Sequence, residues 1–278
     1  MNTFTGFLKR YSLRIGILLM FLFTWPIDLS NSGVLPFQFP FLVYLFLGWG
    51  FIFASLLMTG LTLGREAVIT LLKRFLIWRV GWKWYLVILL QPALQILSIV
   101  LNSLISKTPI DFSGVFAYQI FGPAANLPLL FLPFLLSDAI TNGEEMGWRG
   151  YVLPRLQVKF NALVSSLILG VIWAIWHLPK FLPDNTSSFG LFMIRTIIVT
   201  VMYTWIYNGT KGSLLLVTLF HAAANAGGVF LPVANTVSGE NSGALIIEIV
   251  LQAIAVMVII YFAGADRLSR TEPKQLQE

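Results

Sequence analysis

The chain has 278 residues, 57% of them hydrophobic and only 11% charged, with a mean hydropathy of +0.82. A soluble domain carries about 25% charged residues, so the composition excludes one and indicates an integral membrane protein, read as a single membrane domain over 1–278. The net charge of +6 fits cytoplasmic loops beside anionic lipid better than a nucleic-acid footprint, and the absence of cysteine excludes disulfides and thiolate-held metals.

Apolar runs of roughly 20 residues, enough to cross a bilayer, recur along the chain at about 11–28, 38–63, 84–105, 115–137 continuing into the Glu144 region, 161–178, 191–207, 213–231 and 244–264. The first has basic residues ahead of it like a signal sequence, but Pro26, Asp28 and Asn31 follow instead of a small-residue cleavage site. It is therefore expected to stay as a helix. The expectation is an all-α membrane protein of eight transmembrane helices. Between the second and third spans, 65–84 mixes Leu71, Leu72, Phe75, Leu76 and Ile77 with Lys73, Arg74, Arg79 and Lys83, and sets Trp78, Trp82 and Trp84 among the charges. This composition predicts one amphipathic helix lying in the interface. With the N-terminus inside, only Lys107, Lys180 and Arg195 of the 18 basic residues fall on outer ends, which predicts that both termini are cytoplasmic. The tail 266–278 is polar.

The fourth span leads into Gly143-Glu-Glu-Met-Gly-Trp-Arg-Gly150, where two adjacent carboxylates interrupt a chain that otherwise avoids charge. An ionisable group within a membrane is costly and is usually retained for pairing, proton transfer or chemistry. On a helix Glu145 and Arg149 are i and i+4, in the orientation that favours an ion pair, and Glu144 points about 100° away from Glu145. One carboxylate is thus structural and one available. The two histidines of the chain both lie in apolar spans. His177 follows Trp173-Ala-Ile-Trp and precedes Pro179, which is expected to end the helix. His221 and Asn225 are i and i+4, so they share a helical face. Glu144 lies 16 positions before Phe160 and His177 lies 17 after it, which puts them at similar depth if the hairpin turns near 155–161. His221 is ten positions beyond Lys211, roughly 15 Å into the bilayer. These groups can converge within the membrane on a hydrated cavity. A polar knot that fastens helices is the structural alternative.

The ordered pattern Glu144-Glu145-x-x-x-Arg149, an aromatic residue four positions before His177, and His221-x-x-x-Asn225 resembles the signature of the CAAX-protease and bacteriocin-immunity family of intramembrane endopeptidases, also called Abi or CPBP. Trp173 stands where that pattern usually has Phe. The resemblance covers mainly 144–225 and implies a catalytic core within 111–230. It also implies peptide-bond cleavage in a membrane-associated peptide or protein, no nucleic-acid partner, and a multi-pass protein of a bacterial plasma membrane.

By similarity, Glu144 is the general base, with His177 helping to orient and activate the water. His221 and Asn225 hold the developing oxyanion, and Glu145 with Arg149 positions the helix. No cofactor is required by this reading. The other route is zinc-assisted hydrolysis, with Glu144, His177 and His221 as candidate ligands, although the His-Glu-x-x-His motif of soluble zinc proteases is absent. Two further classes stay open: a non-proteolytic scaffold or immunity protein, and a proton-coupled transporter.

Overall fold

The computed structural model describes residues 3–122, 124–182, 189–232 and 242–270. The tail beyond Arg270, with Lys274, lies outside the described residues. Among the described residues the chain is helical throughout, with no strand, as the composition predicts. The helices are, in order, α1 (Thr3–Asn31), α2 (Phe41–Gly48), α3 (Gly50–Leu63), α4 (Arg65–Lys73), α5 (Lys83–Val87), α6 (Leu90–Ser106), α7 (Phe116–Phe121), α8 (Leu127–Thr141), α9 (Leu153–Gln157), α10 (Ala162–Trp176), α11 (Phe189–Gly209), α12 (Leu214–Phe230) and α13 (Ser242–Ala263).

Among the described residues, four helical stretches are long and apolar enough to cross a membrane: α1, α5 with α6, α11 and α13. The pair α2 and α3, bent by 50°, makes a fifth, while α8, α10 and α12 are apolar but shorter. The chain is a multi-pass membrane protein.

Hydroxyl groups within these apolar helices are returned to the helix's own carbonyls. Thr196, Thr200 and Thr204 on α11 each donate to the carbonyl four residues back, at 2.8, 2.6 and 3.1 Å, which satisfies them where no water is at hand. Starts are fixed by side chains: Asn161 Oδ1 accepts from Val164 N at 2.8 Å, and Ser213 Oγ accepts from Leu216 N at 3.2 Å. Helix α10 packs closely on α11, where a side chain on Gly170 would come within 2.7 Å of the Ile197 backbone. The small residue is what lets the two backbones approach.

Two sequence expectations are corrected. The fourth span does not run unbroken into Glu144. Gly122, at φ +86°, ends α7. Helix α8 then stops at Thr141, and the chain breaks at Asn142–Gly143. There the Asn142 side chain takes the Glu144 N–H at 3.0 Å, a local bond that competes with helix continuation. The chain re-enters at Glu144, and Met146–Val152 is a π-helical turn rather than an α-helix. It is buried throughout, and a side chain on Gly147 would collide with Phe51 at 2.4 Å. Such π-turns concentrate at functional sites.

The other correction is at 65–84, which is not one helix. Helix α4 ends at Lys73, a single 3₁₀ turn follows at Arg74–Leu76, and the chain is non-helical to Trp82. Arg74 turns inward, bonded to the Tyr207 hydroxyl, and Ser213 Oγ donates to the Ile77 carbonyl at 2.7 Å. Trp78 and Trp82 remain exposed as an interfacial segment requires, whereas Trp84 packs on Trp205.

Candidate active site

Helices α6, α7, α8, α10, α11, α12 and α13 all contribute to the lining of a cavity of about 690 Å³. Helix α10 ends at Trp176 beside Pro179, as predicted, so His177 caps it. Its Nδ1 donates to the Trp173 carbonyl at 3.0 Å; a carbonyl can only accept, so Nδ1 carries the proton and Nε2 is left as the acceptor. On α12, His221 Nδ1 lies 2.8 Å from Glu145 Oε1; the carboxylate accepts, so Nδ1 carries a proton here too. Both imidazoles line the cavity, together with Asn225, Trp173 and Tyr203.

The two adjacent carboxylates take different surroundings. Glu145 is fully buried, and its Oε1 accepts from Arg149 Nη1 at 2.9 Å as well as from His221. The predicted i, i+4 ion pair is therefore present. Its link to His221 was not predicted, since spacing alone cannot show which distant helix a carboxylate faces. Arg149 has no exposed surface, and its guanidinium lies over the rings of Trp173 and Tyr203, 4.5 and 4.1 Å from their centroids.

Glu144 is only partly buried. Its Oε2 accepts from Trp173 Nε1 at 2.9 Å and, more loosely, from Trp148 Nε1 at 3.4 Å. The Trp in place of the usual Phe thus supplies an N–H that Phe lacks. No hydrogen bond reaches Glu144 Oε1 among the described residues. Glu144 is not itself in the cavity lining but touches it through the Trp173 indole.

Asn225 Nδ2 donates to Asp138 Oδ2 at 3.1 Å, and Asp138 also lines the cavity. Sequence reasoning missed Asp138. The available signal was an acidic residue inside the apolar run that becomes α8. It likewise missed a second polar cluster in the lining. Glu248 of α13 accepts from Arg195 Nε and Nη2 at 3.0 and 2.9 Å, and from Gln91 and Gln252 at 2.8 and 2.9 Å. Arg195, one of the basic residues assigned to outer ends, is thus a paired residue inside α11.

The donor types of Glu144, His177 and His221 would suit zinc, and histidines held through Nδ1 by an acceptor are common around metals. As placed, however, they do not fit such an ion: among the described residues no three His, Asp or Glu side chains are grouped to hold one.

Comparison with known proteins bears on the same segment. Residues 123–227 match the family model described as type II CAAX prenyl endopeptidase, Rce1-like. The chain is also similar to a protein of Methanococcus maripaludis named CAAX prenyl protease 2, at 26% identity over 187 residues. That match covers 63% of this chain and 64% of the relative, so the chain matches just under two thirds of the relative's length. In the segment that carries Glu144, Glu145, Arg149, His177, His221 and Asn225, the family resembled by the signature is thus the one matched: the Rce1-like CAAX prenyl endopeptidases.

Proposed function

We propose that this chain is an intramembrane endopeptidase that hydrolyses a peptide bond in a membrane-associated substrate, with 111–230 as its catalytic core. The observation that carries the reading is the convergence of His177, His221 and Asn225 on one cavity with Glu144 held at its edge. Peptide hydrolysis needs an activated water, a donor for the oxyanion and a proton for the departing amine. Glu144, fixed through Oε2 by Trp173, presents its other oxygen as general base. His177 Nε2 orients the water. His221, locked through Nδ1 by Glu145, donates from Nε2 in its doubly protonated form, and Asn225, held by Asp138 through one N–H, offers the other, so each presents a donor to the reacting carbonyl. Protonation of the leaving amine returns the proton that Glu144 removed. The relative's name supports prenylated C-terminal CaaX tails as the substrate class, a CaaX box being a C-terminal sequence whose cysteine carries the prenyl group.

The test is cleavage of a farnesylated CaaX peptide by the detergent-purified protein. We expect turnover without any gradient. A proton-coupled transporter needs two compartments, and a scaffold leaves the peptide intact; absence of cleavage would overturn the protease reading.

We further propose eight crossings in a bacterial plasma membrane, with the shorter helices α8, α10 and α12 completing the set, and both termini cytoplasmic. The basic-residue asymmetry supports this orientation, although buried Arg74 and Arg149 and paired Arg195 are not free loop charges. In a chain without native cysteine, an impermeant thiol reagent on intact cells should label Asp111→Cys and spare Thr5→Cys and Glu66→Cys. The reverse pattern inverts the topology.

A further inference from the structure

The cavity has a second polar wall that the hydrolytic reading leaves unused. Arg195 is the only Lys or Arg among the described residues that line it. Three helices build this wall: α6 supplies Gln91 and Gln95, α11 supplies Arg195, and α13 supplies Glu248 with Gln252 beside it.

Two features separate the cluster from a knot that merely fastens helices. Glu248 Oε1 takes N–H groups from Gln91 and Gln252 in addition to Arg195. Its charge therefore stays hydrogen-bonded if Arg195 also engages a second anion. The guanidinium uses only Nε and Nη2 for Glu248, its Nη1 has no hydrogen-bond partner among the described residues, and the side chain keeps 19% exposure. The second feature is that the carboxamide oxygens of Gln91 and Gln95, residues 0% and 2% exposed in the cavity lining, accept no hydrogen bond. Buried polar atoms are normally partnered, and the N–H groups of a peptide main chain are donors of the kind these oxygens lack.

We propose that Arg195, backed by Glu248 and Gln91, is the subsite that receives the free α-carboxylate of the substrate's C-terminus. This inference rests on the endopeptidase reading above. A carboxylate taken into a membrane cavity needs a cation partner, and Arg195 is the cation in this wall. The spacing suits a short C-terminal peptide. On α11, Arg195 is one turn from Phe192, whose ring lies 5.0 Å from that of His177. It is eight positions from Tyr203, whose ring lies 5.7 Å from that of His221. Those eight positions span roughly 12 Å, the reach of three to four extended residues at about 3.3–3.6 Å each.

The experiment compares two probes on the purified full chain: a farnesylated CaaX tetrapeptide with a reduced, uncleavable bond after the cysteine, ending either in a carboxylate or in a carboxamide. Binding is read by displacement of a fluorescent analogue. The acid should bind the parent protein roughly tenfold or more tighter than the amide, and Arg195→Gln should bind the two alike, at the level of the amide. Because Arg195→Gln leaves Glu248 without its cation, Arg195→Gln/Glu248→Gln, which removes both charges together, serves as the second variant with the same expected loss of discrimination. Equal binding of acid and amide by the parent overturns the subsite, as does discrimination that survives in both variants. Preference for the acid without cleavage of the ordinary peptide upholds the subsite and sinks the protease reading instead, so the two failures are distinguishable.

Discussion

Glu144→Gln should abolish peptide cleavage by the purified protein while its melting temperature stays with that of the parent. Glutamine keeps the shape of the side chain and an oxygen that can still accept from Trp173 Nε1, now at 2.9 Å from Oε2. What it lacks is an oxygen able to take a proton from water. General-base catalysis contributes typically 10²–10⁴-fold, so a loss of that size in kcat with little change in folding is the signature of the base. The ion pair is not involved, since Arg149 and His221 both bond Glu145. Near-parental turnover by the Gln variant would remove Glu144 from the mechanism. Asp138, which lines the cavity where Glu144 does not, would then be the carboxylate to examine.

The core of this arrangement was legible in the sequence because helical spacing is a strong constraint. Glu145 and Arg149 pair as i and i+4, and His221 and Asn225 share a cavity wall. Helix α10 ends at Trp176, with His177 as its cap and Pro179 two residues further on. What spacing could not supply was which neighbour each group meets on another helix. Glu145 reaching His221 across 76 residues, and Trp173 reaching Glu144 across 29, depend on packing alone. Breaks were also hidden: a hydrophobic run reads as continuous whether or not one side chain, such as that of Asn142, captures a backbone N–H and interrupts it. The Arg195–Glu248 cluster went unread because its members come from three helices and form no local motif. The sequence signal, an acidic residue alone in the apolar run of α13, was present but pointed to no partner.

Arg149→Ala should lower both stability and activity, in contrast to Glu144→Gln. Snorkelling to the interface would make the loss of Arg149 harmless, but its side chain has no exposed surface, nor has that of its partner Glu145. Breaking a buried pair by removing one partner costs about 3–5 kcal/mol, because the remaining charge is left uncompensated. Here the deletion also opens the space over Trp173 and Tyr203 that the guanidinium fills. Activity follows because Glu145 holds the Nδ1 side of His221. Without the cation, the carboxylate draws on His221 alone, and the imidazole loses its fixed place in the cavity wall. Arg149→Lys sharpens the test: it restores a charge but not the planar group that bonds a carboxylate and lies over aromatic rings at once. Its melting temperature should therefore fall between those of Arg149→Ala and the parent. Melting curves of Arg149→Ala, Arg149→Lys and Glu144→Gln in one detergent separate the roles. If Arg149→Ala melts like the parent, or Glu144→Gln is the least stable of the three, then Glu144 rather than Glu145 is the carboxylate that holds the helices together.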